Sequence, residues 1–303
     1  RCQEPSLSIS GAMAEFEVDE VSDAEKLQIA QHFLLNSPPG QFTSVLEDVK
    51  SLVPPALITD PLLQGIAREF NTKNLRVLET ADAKVILCKA GETDASHYIH
   101  PSSKRIFPVN HVTMALLEGE EPQAMSTPTN PEVEDYRAAV EQAVEAYVGS
   151  QYSEESLSTS AVFADASSTK LTVVISGEKL NLRNFWSGQL LSTWSVTISG
   201  ASATISGDIK VRAHYFEEGN IQLQSKKSVA EATISASDPG GLAQSIVEHI
   251  QGAEGSLQDG LESMYSNMTD ETFKAMRRAK AVTGNKMNWN VNEVRLNTTL
   301  HKK

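Results

Sequence analysis

The chain has 303 residues, 40% hydrophobic and 21% charged, with a formal net charge of −13; this is an ordinary globular composition with room for two domains at roughly 150 residues each. The acidic balance argues against a nucleic-acid-binding protein, and no apolar run approaches the ~18 residues of a transmembrane helix. Cys2 and Cys88 make neither a disulfide framework nor a metal cluster. With no secretory signal in Arg1–Ala12, the expected compartment is a reducing cytosol.

Residues 1–12 are expected to be an upstream, non-native extension, because Met13 and the acidic stretch Glu15–Glu20 resemble a natural start. Ser22-Asp23-Ala24-Glu25 carries a capping-box pattern and opens a helix with Leu27, Ile29, Ala30, Phe33 and Leu34 as its apolar stripe. Asn36-Ser37-Pro38-Pro39-Gly40 stops it. Phe42, Val45, Leu46, Val49 and Leu52 predict a second helix, ended by Pro54-Pro55; Asp60-Pro61 starts a third, carrying Leu62, Leu63, Ile66, Ala67 and Phe70. Three short helices with proline joints predict an antiparallel helical unit. Leu75–Glu79 and Lys84–Lys89 read as short strands, His97–Asn110 as strand and turn, and Glu118–Pro131 as an acidic linker. Residues 132–149 regain helical period. Strands are expected near Ser160–Ala164, Lys170–Ser176, Trp194–Ser199 and Ala203–Ile205. A hairpin then spans Gly207–Lys227 around the turn Glu217-Glu218-Gly219-Asn220. The short gaps predict an antiparallel meander, since parallel strands need long crossovers. Asp238-Pro239-Gly240-Gly241 precedes a long helix to about Asn267, which Gly252 and Gly255 should weaken in its middle.

Sites of chemistry are scarce. His214 with Glu217 and Glu218 suggests a metal or acid–base cluster, but the spacing fits no usual ligand set and a structural strand-end histidine is the better reading. Gly40, Gly91 and Gly240-Gly241 form no phosphate loop; GxSxG and HExxH motifs do not occur. His249 and Glu248 diverge as helix neighbours. Neither an enzyme nor a cofactor nor a metal is called for.

The segment Phe273–Lys303 differs from the rest. Eight basic residues against the single acid Glu293 give it +7, which leaves −20 on the other 272 residues. The basic residues are interleaved with Phe273, Met276, Val282, Met287, Trp289, Val291, Val294 and Leu296. A solvated tail rarely exposes so much apolar surface. Met287, Val291 and Val294 fit a helix face, while Met287, Trp289 and Val291 equally fit a strand. Either way the segment suits an amphipathic element that docks on an acidic partner.

His214-Tyr215-Phe216-Glu217-Glu218-Gly219-Asn220-Ile221 resembles the signature hairpin of the alpha subunit family of F-actin capping proteins, and Phe273-Lys274-Ala275-Met276-Arg277-Arg278 resembles the second signature of that family. Phe33–Gly40 and Asn184-Phe185-Trp186-Ser187-Gly188 with Trp194 support the resemblance, and the order of the blocks holds across residues 20–296. The resemblance implies an α+β fold: an N-terminal antiparallel helical stalk (residues 13–72), short strands and a linker (73–131), a helix with an antiparallel sheet meander crossed by a long helix (132–268), and a basic, amphipathic actin-binding tentacle (269–303). It implies a non-enzymatic, cytoplasmic, cytoskeletal subunit, obligately paired with an F-actin-capping protein beta subunit, that caps filament barbed ends without calcium and blocks subunit exchange. The alternative is a structural subunit docking the heterodimer into an assembly such as dynactin, with little free capping. Lys274, Arg278 and Lys286 match basic positions of the family; Arg277, Lys280, Trp289, Val291 and Val294 complete the expected actin-binding set. Phosphoinositides and capping regulators are further candidate partners. Where the family has Leu-Pro-Val-Thr-Arg, this chain has Lys280-Ala281-Val282-Thr283-Gly284, which puts one charge contact in doubt.

Overall fold

A computed structural model describes residues 21–125, 131–153, 155–165, 168–235 and 238–267. Three helices come first: α1 (Asp23–Leu35), α2 (Phe42–Leu52) and α3 (Asp60–Lys73). The capping box forms as expected, with Glu25 N–H donating to Ser22 Oγ at 3.3 Å and Ser22 N–H donating to Glu25 Oε2 at 3.0 Å. Ala30, Leu34, Leu46, Val49, Leu63 and Ile66 form their common core. The expected stripe of α1 is only half used: Ile29 and Phe33 remain 51% and 59% exposed. The apolar face of that helix is therefore wider than the described residues cover.

A small hairpin follows, β1 (Val77–Glu79) with β2 (Lys84–Ile86), then a second small sheet built on β4 (Arg105–Asn110). Its other strands are β3 (His97–His100), β5 (Ala115–Leu116) and β6 (Gln123–Ala124). The acidic stretch from Glu118 is thus not wholly a linker, because β6 pairs with β4 through Arg105 and Ile106. Two-residue strands lie below any periodicity signal.

Helix α4 (Pro131–Gln151) leads into five strands: β7 (Leu157–Ala164), β8 (Lys170–Asn181), β9 (Trp186–Ser199), β10 (Ser202–Tyr215) and β11 (Ile221–Ser235). Their spatial order, β11-β10-β9-β8-β7, is the antiparallel meander in reverse. Strand β10 is continuous through Gly207, so Ala203–Ile205 and the hairpin strand are one element. The register with β11 shifts between Ile205 and Gly207, leaving the extra residue on β11. Helix α5 (Pro239–Asn267) closes the described fold and runs unbroken through Gly252 and Gly255. Burial of Leu242, Ile246, Ile250 and Leu257 against the sheet offsets the cost of two helical glycines.

Helices α4 and α5 cover one sheet face. Val140 and Val144 of α4, Ile246 and Ile250 of α5, and Val173, Trp194, Ile205 and Ile209 of the sheet share one apolar core. The opposite face is covered in parts. Val77, Ile86 and Cys88 pack on Ala161, Phe163 and Val174, and the α1–α2 joint covers the hairpin end. Among the described residues no helix is long and apolar enough to cross a membrane.

Candidate interaction surfaces

The hairpin end of β10 is built for anchoring. Residues paired across an antiparallel sheet share a face, so the register Glu178↔Gln189↔Arg212 sets three polar side chains in one row. All three are buried. Gln189 Nε2 donates to Glu178 Oε1 at 3.0 Å, and Arg76 pairs with the same carboxylate. Arg212 reaches out of the sheet: Nη1 donates to Asn74 Oδ1 at 2.8 Å, at the end of α3, and Nη2 donates to the Ser37 carbonyl at 2.7 Å, in the α1–α2 joint. Burial lowers the guanidinium's affinity for its proton, with Glu178 opposing.

His214 continues the same face. One ring nitrogen lies 3.2 Å from Gln41 Nε2 and the other 3.0 Å from Asn220 Oδ1, and the ring stacks on Phe216 at 4.8 Å. His214 and Phe216 thus lie on one face of the hairpin end. Glu217 turns instead to Tyr215, whose hydroxyl donates to its Oε2 at 2.7 Å. Gly40 completes the joint: its φ is +77°, and a β-carbon there would stand 2.8 Å from Leu180 Cδ1. The blocks Phe33–Gly40 and His214–Asn220, far apart in sequence, are thus two halves of one joint. The hairpin tip holds the N-terminal helices, while α5 rests further along the strands, where Lys227 Nζ donates to Ser256 Oγ at 3.0 Å.

On the other face, α5 is fastened by a buried carboxylate that no sequence pattern singles out. Glu254 is 3% exposed. It accepts from Tyr147 Oη at 2.8 Å, Tyr152 Oη at 3.1 Å and Ser192 Oγ at 3.0 Å. These donors come from α4, the turn after it and β9. Burial raises the Glu254 carboxyl above its usual range, against the three hydroxyls. Burial beside this carboxylate also pushes both phenols up. The native state therefore binds this proton more tightly than the unfolded chain does. That stability is fully present below the unfolded carboxyl value of about 4.3, and is lost as pH rises through the raised native value. Glu254→Gln keeps a hydrogen-bonding amide without the charge. Its stability relative to the parent should grow as pH rises from 5 to 8, measured by urea unfolding; a flat difference would show that Glu254 does not titrate there.

All of the expected actin-binding residues, Lys274, Arg277, Arg278, Lys280, Lys286, Trp289, Val291 and Val294, lie outside the described residues. What is described is their approach, the last turns of α5, with Met264 and Tyr265 exposed. Among the described residues no group of three His, Cys, Asp or Glu side chains could hold a metal ion. The remaining surface of note is strand β11. It spans 15 residues at the end of the sheet, and no described strand pairs with its outer side. An unpaired strand of that length is a template for another strand.

The family described as "F-actin capping protein alpha subunit" matches residues 30–299 of this chain. The chain belongs to the alpha subunit family of F-actin capping proteins. Curated relatives agree along most of the chain. The chain is 32% identical over 272 residues to the F-actin-capping protein subunit alpha of Dictyostelium discoideum, covering 88% of this chain and 94% of that one. It is 30% identical over 279 residues to the subunit of the same name from Caenorhabditis elegans, covering 90% and 96%. Among solved structures, the homodimeric actin capping protein alpha subunit from Plasmodium berghei matches at a TM-score of 0.68 and 23% identity, covering 79% of this chain and 92% of that one. That likeness shows the fold: the α+β arrangement expected from the resemblance is the family's.

Proposed function

We propose that this chain is the alpha subunit of a heterodimeric capping protein that binds actin filament barbed ends without calcium and blocks subunit exchange. The observation that carries the reading is the family match across residues 30–299. Two physical features support it. The long unpaired edge of β11 and the half-exposed face of α1 are surfaces that a companion subunit of the same fold would cover. The +7 segment after Phe273 suits an acidic filament, since such charge steers encounter and orients docking. The reading places the subunit in the cytoplasm, on the cytoskeleton, and gives it no catalytic role. The domain division follows: residues 13–72 as stalk, 73–131 as strands and linker, 132–268 as sheet and helices, and 269–303 as actin-binding tentacle. Phosphoinositides, being polyanionic, would compete for the same tail.

The test is kinetic. Co-expressed with a beta subunit, Lys274→Ala with Arg278→Ala should slow capping in a seeded pyrene-actin assay on the order of tenfold at low salt, with less effect at high salt. The heterodimer itself should be recovered in normal yield. Deleting residues 273–303 should cost more. Normal capping by the truncated heterodimer would refute the tentacle assignment.

A further inference from the structure

A cavity of about 1000 Å³ lies under the sheet, on the face opposite α4 and α5. Helix α3 and the loop after β2 form its roof, and β8, β9, β10 and β11 form its floor. Five basic and three acidic side chains line it. The acids of the wall are largely taken. Glu92 is paired with Arg68. Asp208 accepts from Ser228 Oγ at 2.6 Å and meets Lys226 Nζ at 3.3 Å. Glu69 is exposed on α3.

The floor carries a half-buried amine with no carboxylate partner among the described residues. Lys210 Nζ donates to Asn74 Oδ1 at 3.2 Å, an oxygen it shares with Arg212. Burial first, and then the charges of Arg212, Lys73 and Lys226, push its amine down to about 8. An ammonium group withdrawn from water among like charges, with one neutral partner, is a costly arrangement that an anion relieves. Leu75, Val174 and Leu191 give the rest of the cavity an apolar wall, suited to the aliphatic stem of an acidic side chain.

The position of the cavity indicates the source of that anion. Lys210 is directly opposite Lys226 in the register of β10 with β11, and β11 is the edge of the sheet that no described strand covers. A strand added to β11 extends the cavity floor, and the body behind that strand stands at the cavity's side. We propose that the subunit pairing with β11 inserts a carboxylate-bearing segment into this cavity and pairs it with Lys210. This assignment rests on the heterodimer reading above and names the chemistry of its contact. Edge pairing supplies affinity along the backbone, whereas the carboxylate–amine pair under the sheet fixes register and partner identity.

The experiment uses the co-expressed heterodimer with a capping protein beta subunit. Carbodiimide treatment condenses an amine with a carboxylate only where the two already touch. Mass spectrometry of the digested complex should find Lys210 joined to an aspartate or glutamate of the beta subunit. In addition, Lys210→Glu should lower heterodimer affinity by about tenfold or more, and changing the cross-linked carboxylate to lysine should restore it. Should Lys210→Glu fail to fold, the cross-link in the unaltered complex decides alone. A Lys210 that is unlinked, linked only to Asp208 or Glu69, or linked to a second copy of this chain overturns the proposal while a heterodimer that forms and caps upholds the functional reading. If no heterodimer forms, both fall together.

Discussion

Replacing Arg212 by alanine is expected to destabilise the fold by about 3–5 kcal/mol, the range for removing one member of a buried charged network. The cost lies in what is left behind. Ser37 loses the donor to its carbonyl, Asn74 loses the shorter of the two bonds to its Oδ1, and buried Glu178 loses one nearby positive charge. None of these groups faces open water, so each retains part of its desolvation cost. Lysine should recover only part of the loss, because a single ammonium cannot span two acceptors on separate elements as a guanidinium fork does. The damage should also be local. Hydrogen exchange should speed up in α1, α2 and α3, whose joint loses its tether, while α4 and α5 keep their protection through the apolar core they share with the sheet. Equal acceleration in α5 would mean that the polar row supports the whole sheet rather than the helical joint.

The same row explains which parts of the fold were legible in the sequence. The helices were, because each turns one apolar stripe toward the rest of the fold and so shows a 3.6-residue period. The meander was legible as a set of strands, but its strands run longer than the apolar pattern suggests. Strand β9 begins at Trp186 rather than near Trp194, and β8 runs on to Asn181 rather than Ser176. The added residues include Glu178, Ser187 and Gln189, all polar and all buried. Simple alternation assumes one wet face and one dry face. Here both faces are covered, one by α4 and α5 and the other by the α1–α2 joint with its polar partners. Arg212 and His214 therefore look like solvent-facing positions in the sequence, although they are inside. Glu254 was hidden for a related reason: a carboxylate inside the apolar stripe of a helix is a solvated residue by pattern alone, and its three hydroxyl donors come from elements remote in sequence. The candidate actin-binding segment stood out by charge and composition, signals that need no fold to be seen.

These two covered faces divide the labour of the domain. The apolar face is continuous and sets the stability of the sheet. The polar face is discontinuous: a small apolar contact near β7, a cavity at Lys210, and an anchored joint at Arg212 and His214. Polar contacts of this kind specify orientation more than they stabilise. A helical unit held at a defined angle to the sheet is what a companion subunit of similar fold would need in order to pair with β11 and pack against α1 together.

The apolar face depends on one close approach, and its disruption should be among the largest effects of a single methyl group on the described residues. Gly207 lies directly opposite Trp194 in the register of β10 with β9. A β-carbon at Gly207 would stand 2.4 Å from Trp194 Cε3, 2.6 Å from Cδ2 and 2.8 Å from the Thr193 carbonyl oxygen. Trp194 is fully buried, so the ring has no free space into which to move. Gly207→Ala should therefore cost about 3 kcal/mol, at the upper end of ordinary overpacking, because ring and backbone must both yield. Trp194→Ala should cost about 3–5 kcal/mol by leaving a cavity between the sheet and α5. The two are coupled through the same space. In a Trp194→Leu background the new methyl group no longer meets a ring and only the carbonyl contact persists. Gly207→Ala should then cost less than in the parent, by on the order of 1–3 kcal/mol in a double-mutant cycle. Additive losses would mean that β10 shifts away from β9 as a unit, and that the bulge between Ile205 and Gly207, rather than the tryptophan, sets the spacing of these strands.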